Sequence, residues 1–213
     1  TPNPLNPPPV EVDHFSATTA QITLRKPNNE TEQVNLAGPS TGRVLIGPAG
    51  EASDFDGDGL DQVQTEMSDL SLTGVSSLGA VHVRLNPKQP SYGQIEERVN
   101  VTPGKLDVPP FAAAGTADSF FDVFVEIEVD GVVLHPDTPL HMAGVIHHKP
   151  PGPGDEYVNP FTQPVELLDA AGNGTGIFVV HEVHTPNPIN PPPVEIDHFP
   201  ATTAQITLRK PNN

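Results

Sequence analysis

The residues best suited to chemistry are three aspartates at alternate positions of a short acidic segment, Asp54, Asp56 and Asp58. Gly59 follows them, so carboxylates occupy positions 1, 3 and 5 of a calcium-binding loop and glycine occupies position 6. In such a loop the alternating carboxylates converge on one ion, and the glycine permits a sharp turn. The spacing therefore predicts a calcium site.

The second half of this loop, predicted to cover residues 54–66, departs from the pattern. The carbonyl of Leu60 stands at position 7, but position 12 is Thr65 rather than an acid that could hold the ion with both oxygens. The nearest acids are Asp61 and Glu66, and we expect them to supply the missing ligands. An ion in an all-oxygen cage would stiffen the protein rather than catalyse a reaction. A solvated acidic turn without an ion is the alternative.

The nine histidines raise the possibility of a transition-metal site. His181 and His184 are three positions apart on one predicted strand, which sends their side chains to opposite faces. His141 and His147 share a face, but about 20 Å separates them along a strand that rises ~3.3 Å per residue. We therefore predict that the histidines lie on the surface or at strand ends.

No motif in the chain indicates an enzyme. The pair Asp13-His14 has no serine nucleophile motif to accompany it, and the chain contains no cysteine. We expect no catalytic residues and no organic cofactor.

Almost the same segment occurs at both ends of the chain. Residues 1–29 and 185–213 differ at only three positions, and the offset from Thr1 to Thr185 is 185 − 1 = 184 residues. The exchanges are those of separately diverging copies, so we predict a tandem repeat with a period of 184. The chain would then be one unit plus the start of the next.

Proline divides the predicted repeat into parts. Residues 1–9 contain five prolines, which favour extended polyproline II, and we interpret them as a stiff joint. Residues 10–184 form the repeat unit, 185–193 the next joint and 194–213 the first strands of the next unit. Whether 194–213 pack on the preceding or the following unit is left open.

Strand patterns dominate the unit. In Ser119–Val129 apolar residues alternate with mostly polar ones, and Asp130-Gly131 then predicts a hairpin turn. Short β-branched runs separated by Pro and Gly recur along the chain without a convincing helix. Further predicted strands include Val10–Phe15, Ala20–Arg25, Val165–Leu168 and Gly176–His184. We therefore predict an all-β fold, specifically a β-sandwich of immunoglobulin-like or jelly-roll-like type.

The charge excludes some partners. The chain has 27 acidic and 10 basic residues and a formal net charge of −17, which opposes binding to nucleic acids and anionic membranes. We see no apolar run long enough to insert into a membrane.

Several segments carry a resemblance to known proteins. The stretches "LDQVQTEMSDLSLTG", "LGAVHVRLNP", "ADSFFDVFVEIEV" and "LHPDTPLHM" resemble an uncharacterised tandem-repeat β module of large secreted bacterial surface proteins. The acidic loop resembles those of EF-hand, dockerin and thrombospondin type 3 repeats in spacing, without their helices. The resemblance implies an extracellular or cell-surface location and supplies no catalytic residue.

The function predicted from these features is structural: a calcium-stiffened repeat of an extracellular filament or surface stalk. Its partners would be neighbouring copies of the repeat, joined in tandem or by strand exchange. Surface glycans are further expected partners, because three Asn-X-Thr sequons begin at Asn29, Asn100 and Asn173. The alternative is an adhesin-like or carbohydrate- or protein-binding module.

Overall fold

Alternation of apolar and polar residues, punctuated by Gly and Pro, folds this chain into β-strands. The computed structural model describes residues 10–159, 163–187 and 194–195, which form thirteen antiparallel strands and no helix. The strands are β1 (Glu11–Arg25), β2 (Thr31–Val44), β3 (Gln62–Ser76), β4 (Gly79–Leu85), β5 (Ser91–Glu97), β6 (Ala117–Val123), β7 (Val125–Val129), β8 (Val132–Pro136), β9 (Leu140–Ile146), β10 (Tyr157–Val158), β11 (Val165–Leu168), β12 (Gly174–Thr185) and β13 (Val194–Glu195).

Consecutive short strands share positions in the sheet. Strands β4 and β5 both pair with β3, β4 along its second half and β5 along its first half. Likewise β6 and β7 together occupy one position in the sheet, and β8 and β9 together occupy the next. Strands β10 and β11 pair with different parts of the long strand β12. These four composite strands and the long strands β1, β2, β3 and β12 give 4 + 4 = 8 positions among the described residues.

The eighth position pairs with the first, so the sheet closes. Strand β12 runs antiparallel to β1, with His184 opposite Ala20 and Glu182 opposite Ile22. Each position also pairs with the next along the chain, which is the topology of an up-and-down barrel. Directly opposite residues share a face, so Glu182 and His184 point inward like the buried Ala20 and Ile22.

The barrel has two halves along its axis. The packed half is the end that contains β4, β7, β8 and β11, and the cavity half is the end that contains β5, β6, β9 and β10. Aliphatic side chains at most 3% exposed fill the packed half: Ile22, Leu24, Leu72, Ile127, Leu134 and Leu167. The interior of an eight-stranded barrel is just wide enough for side chains such as these to fill it.

The predicted hairpin is confirmed. Asp130 and Gly131 have φ angles of 48° and 83°, as a type I′ turn requires, and they join β7 to β8. Val123, Val125 and Ile127, the apolar residues that the alternation predicts to face inward, are also buried. A single residue, Phe124, separates β6 from β7, so the predicted strand Ser119–Val129 is divided in two.

The all-β prediction is confirmed, but the predicted β-sandwich is not. A sandwich has two separate sheets, whereas the described strands form one sheet in which β12 returns to β1. The four long strands β1, β2, β3 and β12 extend through both halves of the barrel and pair with one another in the order β12-β1-β2-β3, so the two halves belong to the same sheet.

Part of the predicted domain division lies outside the described residues. This applies to residues 1–9, 188–193 and 196–213, so the polyproline joints and the repeat boundary stay predictions. Within the described part, β1 begins at Glu11 and β12 ends at Thr185. Val194 and Glu195 pair with Val12 and Glu11 of the same chain.

Candidate functional site

The cavity half contains a cavity in the barrel interior, to which all eight strand positions contribute. Apolar side chains dominate its wall: Phe15, Met67, Leu70, Ile95, Phe121 and Met142. The space open to the centre of a water-sized sphere is about 60 Å³. One water needs ~10–15 Å³ on this measure, so the cavity has room for more than a single water.

One wall position leaves room for a side chain. Gly42 faces the cavity from β2, and a Cβ added to it would have no other atom within 4 Å. Its φ is not in the left-handed region, so the backbone does not require glycine there. Part of the cavity is therefore the space that a side chain at position 42 would occupy.

A buried carboxyl group faces this apolar space. Glu182 is 9% exposed, lines the cavity from β12, and its Oε2 has no hydrogen-bond partner. Burial raises the pKa of the Glu182 carboxyl to about 7. A buried polar atom without a protein partner is uncommon in folded proteins, and it needs a donor from an ordered water or from a bound molecule.

Two ring side chains lie beside Glu182 on the cavity wall. His184 follows on the same face of β12, and burial lowers the pKa of its imidazole to about 4, so the ring is neutral near pH 7. Tyr157 is opposite His184 on β10 and donates its hydroxyl proton to Ser119 Oγ at 2.9 Å. Burial also raises the pKa of Tyr157.

A buried ion pair lies at the same end of the barrel. The side chain of Lys149 is 0% exposed, and its Nζ lies 2.8 Å from Asp13 Oδ1 and 2.8 Å from Glu11 Oε1. Burial raises the pKa of Asp13, and the charge of Lys149 opposes that shift. Asp13 and Pro151 both line the cavity, so this ion pair helps to form its wall.

Sequence reasoning missed Glu182, His184 and Lys149. His184 lies one residue before the end of β12, as the prediction of surface or strand-end histidines allows, but it is half-buried and faces the cavity, which the sequence did not indicate. The register between β1 and β12 shifts between Thr23 and Leu24, which skips Val180. This bulge puts Val179 and Glu182 on the same side, which strict alternation does not allow. No signal in the sequence marks the bulge.

The structure brings Asp54, Asp56 and Asp58 together. One carboxylate oxygen from each lies within 4.8 Å of the others, and all three residues are exposed. Asp54 accepts hydrogen bonds from the backbone N–H groups of Gly57 and Gly59, at 2.7 and 3.0 Å. Calcium binding at this loop stays a prediction.

The other predicted ligands make different contacts. Asp61 is buried, and its Oδ2 accepts hydrogen bonds from Gly104 N–H at 2.6 Å and Asn100 Nδ2 at 3.3 Å. Glu66 lies on β3 and pairs with Arg43 at 3.2 Å. Leu60 donates its N–H to Asp58 Oδ1 at 2.9 Å, and its carbonyl stays a predicted ligand.

Comparison with known proteins identifies a related fold. A scan against protein-family models and a search of curated proteins find no match. Among solved structures, the chain is similar to DynF from the dynemicin biosynthesis pathway of Micromonospora chersina, with a TM-score of 0.67 and 19% identity. The alignment covers 87% of this chain and 84% of that chain. At this identity the similarity shows a common fold.

The predicted function as a structural repeat of an extracellular filament or stalk is wrong. The described residues form a closed barrel around a cavity, and this fold is shared with a protein of a biosynthesis pathway. The extracellular location, the neighbouring copies as partners and the resemblance to surface-protein modules stay predictions. Among the described residues there is no helix long and apolar enough to span a membrane.

Proposed function

We propose that this protein binds a small, largely apolar molecule inside the cavity half of the barrel. The observation that carries the proposal is the largely apolar cavity with a few polar groups at defined positions, which is the usual composition of a small-molecule site. The interior of an eight-stranded barrel is either filled by side chains, as in the packed half, or holds one small ligand. We propose binding without chemical turnover.

The polar groups of the wall give the ligand an orientation. Glu182 and His184 project from one strand, while Phe15, Leu70 and Ile95 supply apolar surface from other strands. A molecule with an apolar body and one polar end would satisfy both kinds of surface. Burying the apolar body supplies about 25 cal/mol for each Å² removed from water.

Isothermal titration calorimetry with 1-octanol tests the proposal on the whole chain. Wild type is expected to bind, and Gly42→Val is expected to weaken binding about tenfold or more, because the valine side chain occupies part of the cavity. Ala37→Val is the matched control, since Ala37 is an exposed residue of the same strand.

Two results would contradict the proposal. One is the absence of octanol binding to wild type at concentrations below its solubility limit. The other is equal affinity of wild type and Gly42→Val, which would place the bound octanol outside the cavity.

A calcium ion at Asp54, Asp56 and Asp58 is a separate proposal, supported by the convergence of their carboxylates. In this role the ion stiffens the segment before β3 and takes no part in ligand binding.

A further inference from the structure

Three side chains in and around the cavity wall have their hydrogen-bond donors engaged by protein acceptors. Lys149 Nζ is held by two carboxylates, those of Glu11 and Asp13. The Tyr157 hydroxyl donates to Ser119, and the hydroxyl of Ser40 is bonded to that of Thr18 at 2.8 Å. A ligand that needed donors from these side chains would have to break existing bonds.

Two oxygen atoms on the cavity wall have no partner. Glu182 Oε2 and Thr65 Oγ1 are both buried and without a hydrogen bond. Both residues line the cavity, from β12 and β3. The imidazole of His184 can donate or accept, depending on its tautomer. The Thr65 hydroxyl can also donate or accept, whereas the ionised carboxylate of Glu182 can only accept. Glu182 Oε2 is therefore the atom of the wall that requires a donor from a ligand, and leaving it unpaired is costly.

The charges near the cavity favour a cation. Lys149 is balanced by one of its two carboxylate partners, which leaves one acid in excess before Glu182 is counted. Ionised Glu182 would add a second negative charge in largely apolar surroundings. Attraction between opposite charges is stronger in such an environment than in water.

We propose that the bound molecule is an apolar amine, whose protonated nitrogen donates a hydrogen bond to the carboxylate of Glu182 while its apolar body fills the cavity. This inference rests on the proposed function and adds the chemical class of the ligand. A charge-assisted hydrogen bond of this kind is roughly twice as strong as a neutral one.

The test compares octylamine, 1-octanol and octanoate by isothermal titration calorimetry at pH 8, where the amine is protonated. Wild type is expected to bind octylamine about tenfold or more tightly than octanol and to bind octanoate most weakly. In Glu182→Gln the amine should lose this advantage and bind about as well as the alcohol. Glutamine has the same shape as glutamate and removes an unpaired buried charge, so this variant should fold.

Two controls separate the cavity from the acidic surface. Glu30→Gln removes an exposed acid and is expected to keep the preference for the amine. Gly42→Val places a side chain in part of the cavity and is expected to weaken the binding of octylamine as well as that of octanol. An octylamine affinity that is the same in wild type and Gly42→Val would place the amine at the surface and overturn the inference.

The outcomes distinguish the inference from the proposed function. If octanol binds in the cavity and octylamine binds no more tightly, the ligand class is wrong and the proposed function stands. If octanoate binds most tightly, the ligand class is likewise wrong. If none of the three binds, the proposed function itself is wrong. Should Glu182→Gln fail to fold, the order of the three affinities in wild type still decides the question.

Discussion

Two ionisable residues on one face of β12 should make stability depend on pH in opposite directions. The pKa of Glu182 is raised from 4.5 to about 7, so between these values the folded form binds more protons than the unfolded form. The free energy of unfolding therefore falls as pH rises. The pKa of His184 is lowered from 6.5 to about 4, so its contribution to that free energy increases with pH.

The two contributions overlap between pH 4.5 and 6.5 and should largely cancel in wild type. Glu182→Gln leaves the histidine contribution, so its unfolding free energy should rise with pH by up to about 1.4 kcal/mol per pH unit. His184→Gln should show a fall of similar size. The measurement is urea unfolding at several pH values in this window.

Asp13 on β1 and Tyr157 on β10 face the same cavity and are present in all three proteins, so they provide a common background. If both variants followed the wild-type pH dependence, the placement of Glu182 and His184 in an apolar interior would be wrong.

Replacing Lys149 should lower the free energy of unfolding considerably, and a second substitution in the same ion pair should restore much of it. Lys149→Met leaves the carboxylates of Glu11 and Asp13 without their cation, and breaking a buried pair in this way costs about 3–5 kcal/mol. Adding Asp13→Asn removes the more deeply buried carboxylate and should restore a large part of the stability. Urea unfolding at pH 7 measures both variants, and a double variant no more stable than Lys149→Met would refute this explanation.

At the residue level, local spacing is visible in the sequence and distant partners are not. The Asp54, Asp56 and Asp58 cluster follows from alternate positions in one short segment. Lys149 and Asp13 are 149 − 13 = 136 positions apart, and the sequence contains no pattern that relates them. Glu182 lies on a predicted strand, but the bulge at Val180 determines the direction of its side chain.

Among the elements, the acidic loop before β3 gives a prediction about metal. Calcium should raise the melting temperature of wild type by a few degrees, because an ion that binds the folded form stabilises it. The variant with Asp56→Asn and Asp58→Asn should not respond. Asp69→Asn, which removes an exposed acid from β3, serves as the control.

Differential scanning calorimetry with calcium and with chelator makes this measurement. An unchanged wild-type melting temperature in the two conditions would exclude a stabilising calcium ion at the loop.

The hairpin between β7 and β8 gives a second prediction at this scale. Gly42 and Gly131 both have open space where a Cβ would be added, but only Gly131 of the two has a left-handed φ, 83°. Gly131→Val should destabilise by about 1–2 kcal/mol or more because of that backbone conformation. Gly42→Val should instead stabilise the strand by about 0.5–1 kcal/mol. Urea unfolding of the two variants decides this, and equal effects would contradict it.

Most strands could be located from the sequence because alternation is a local property. The predicted strand Val165–Leu168 coincides with β11, and the hairpin at Asp130-Gly131 lies where its turn residues place it. The predicted segments Val10–Phe15 and Ala20–Arg25 are, however, parts of the single strand β1. A bulge at Ser16 and Ala17 joins them, and such irregularities are decided by pairing with β2.

For the molecule as a whole, the sequence predicted the class of fold and not its closure. Alternation shows which residues face inward, and that pattern is the same in a sandwich and in a barrel. The difference depends on whether β12 pairs with β1, a contact between distant parts of the chain. The cavity follows from that closure, so it could not be predicted from the strands alone.

The most direct test of ligand binding inside the barrel uses the two methionines of the chain. Met67 and Met142 both line the cavity, so ¹³C-methyl labelling of methionine gives two NMR signals from within it. On titration with 1-octanol, both signals should shift and both methyl groups should show nuclear Overhauser effects to the octanol chain. If saturating octanol leaves both methyl signals unchanged, the barrel interior is not a ligand site.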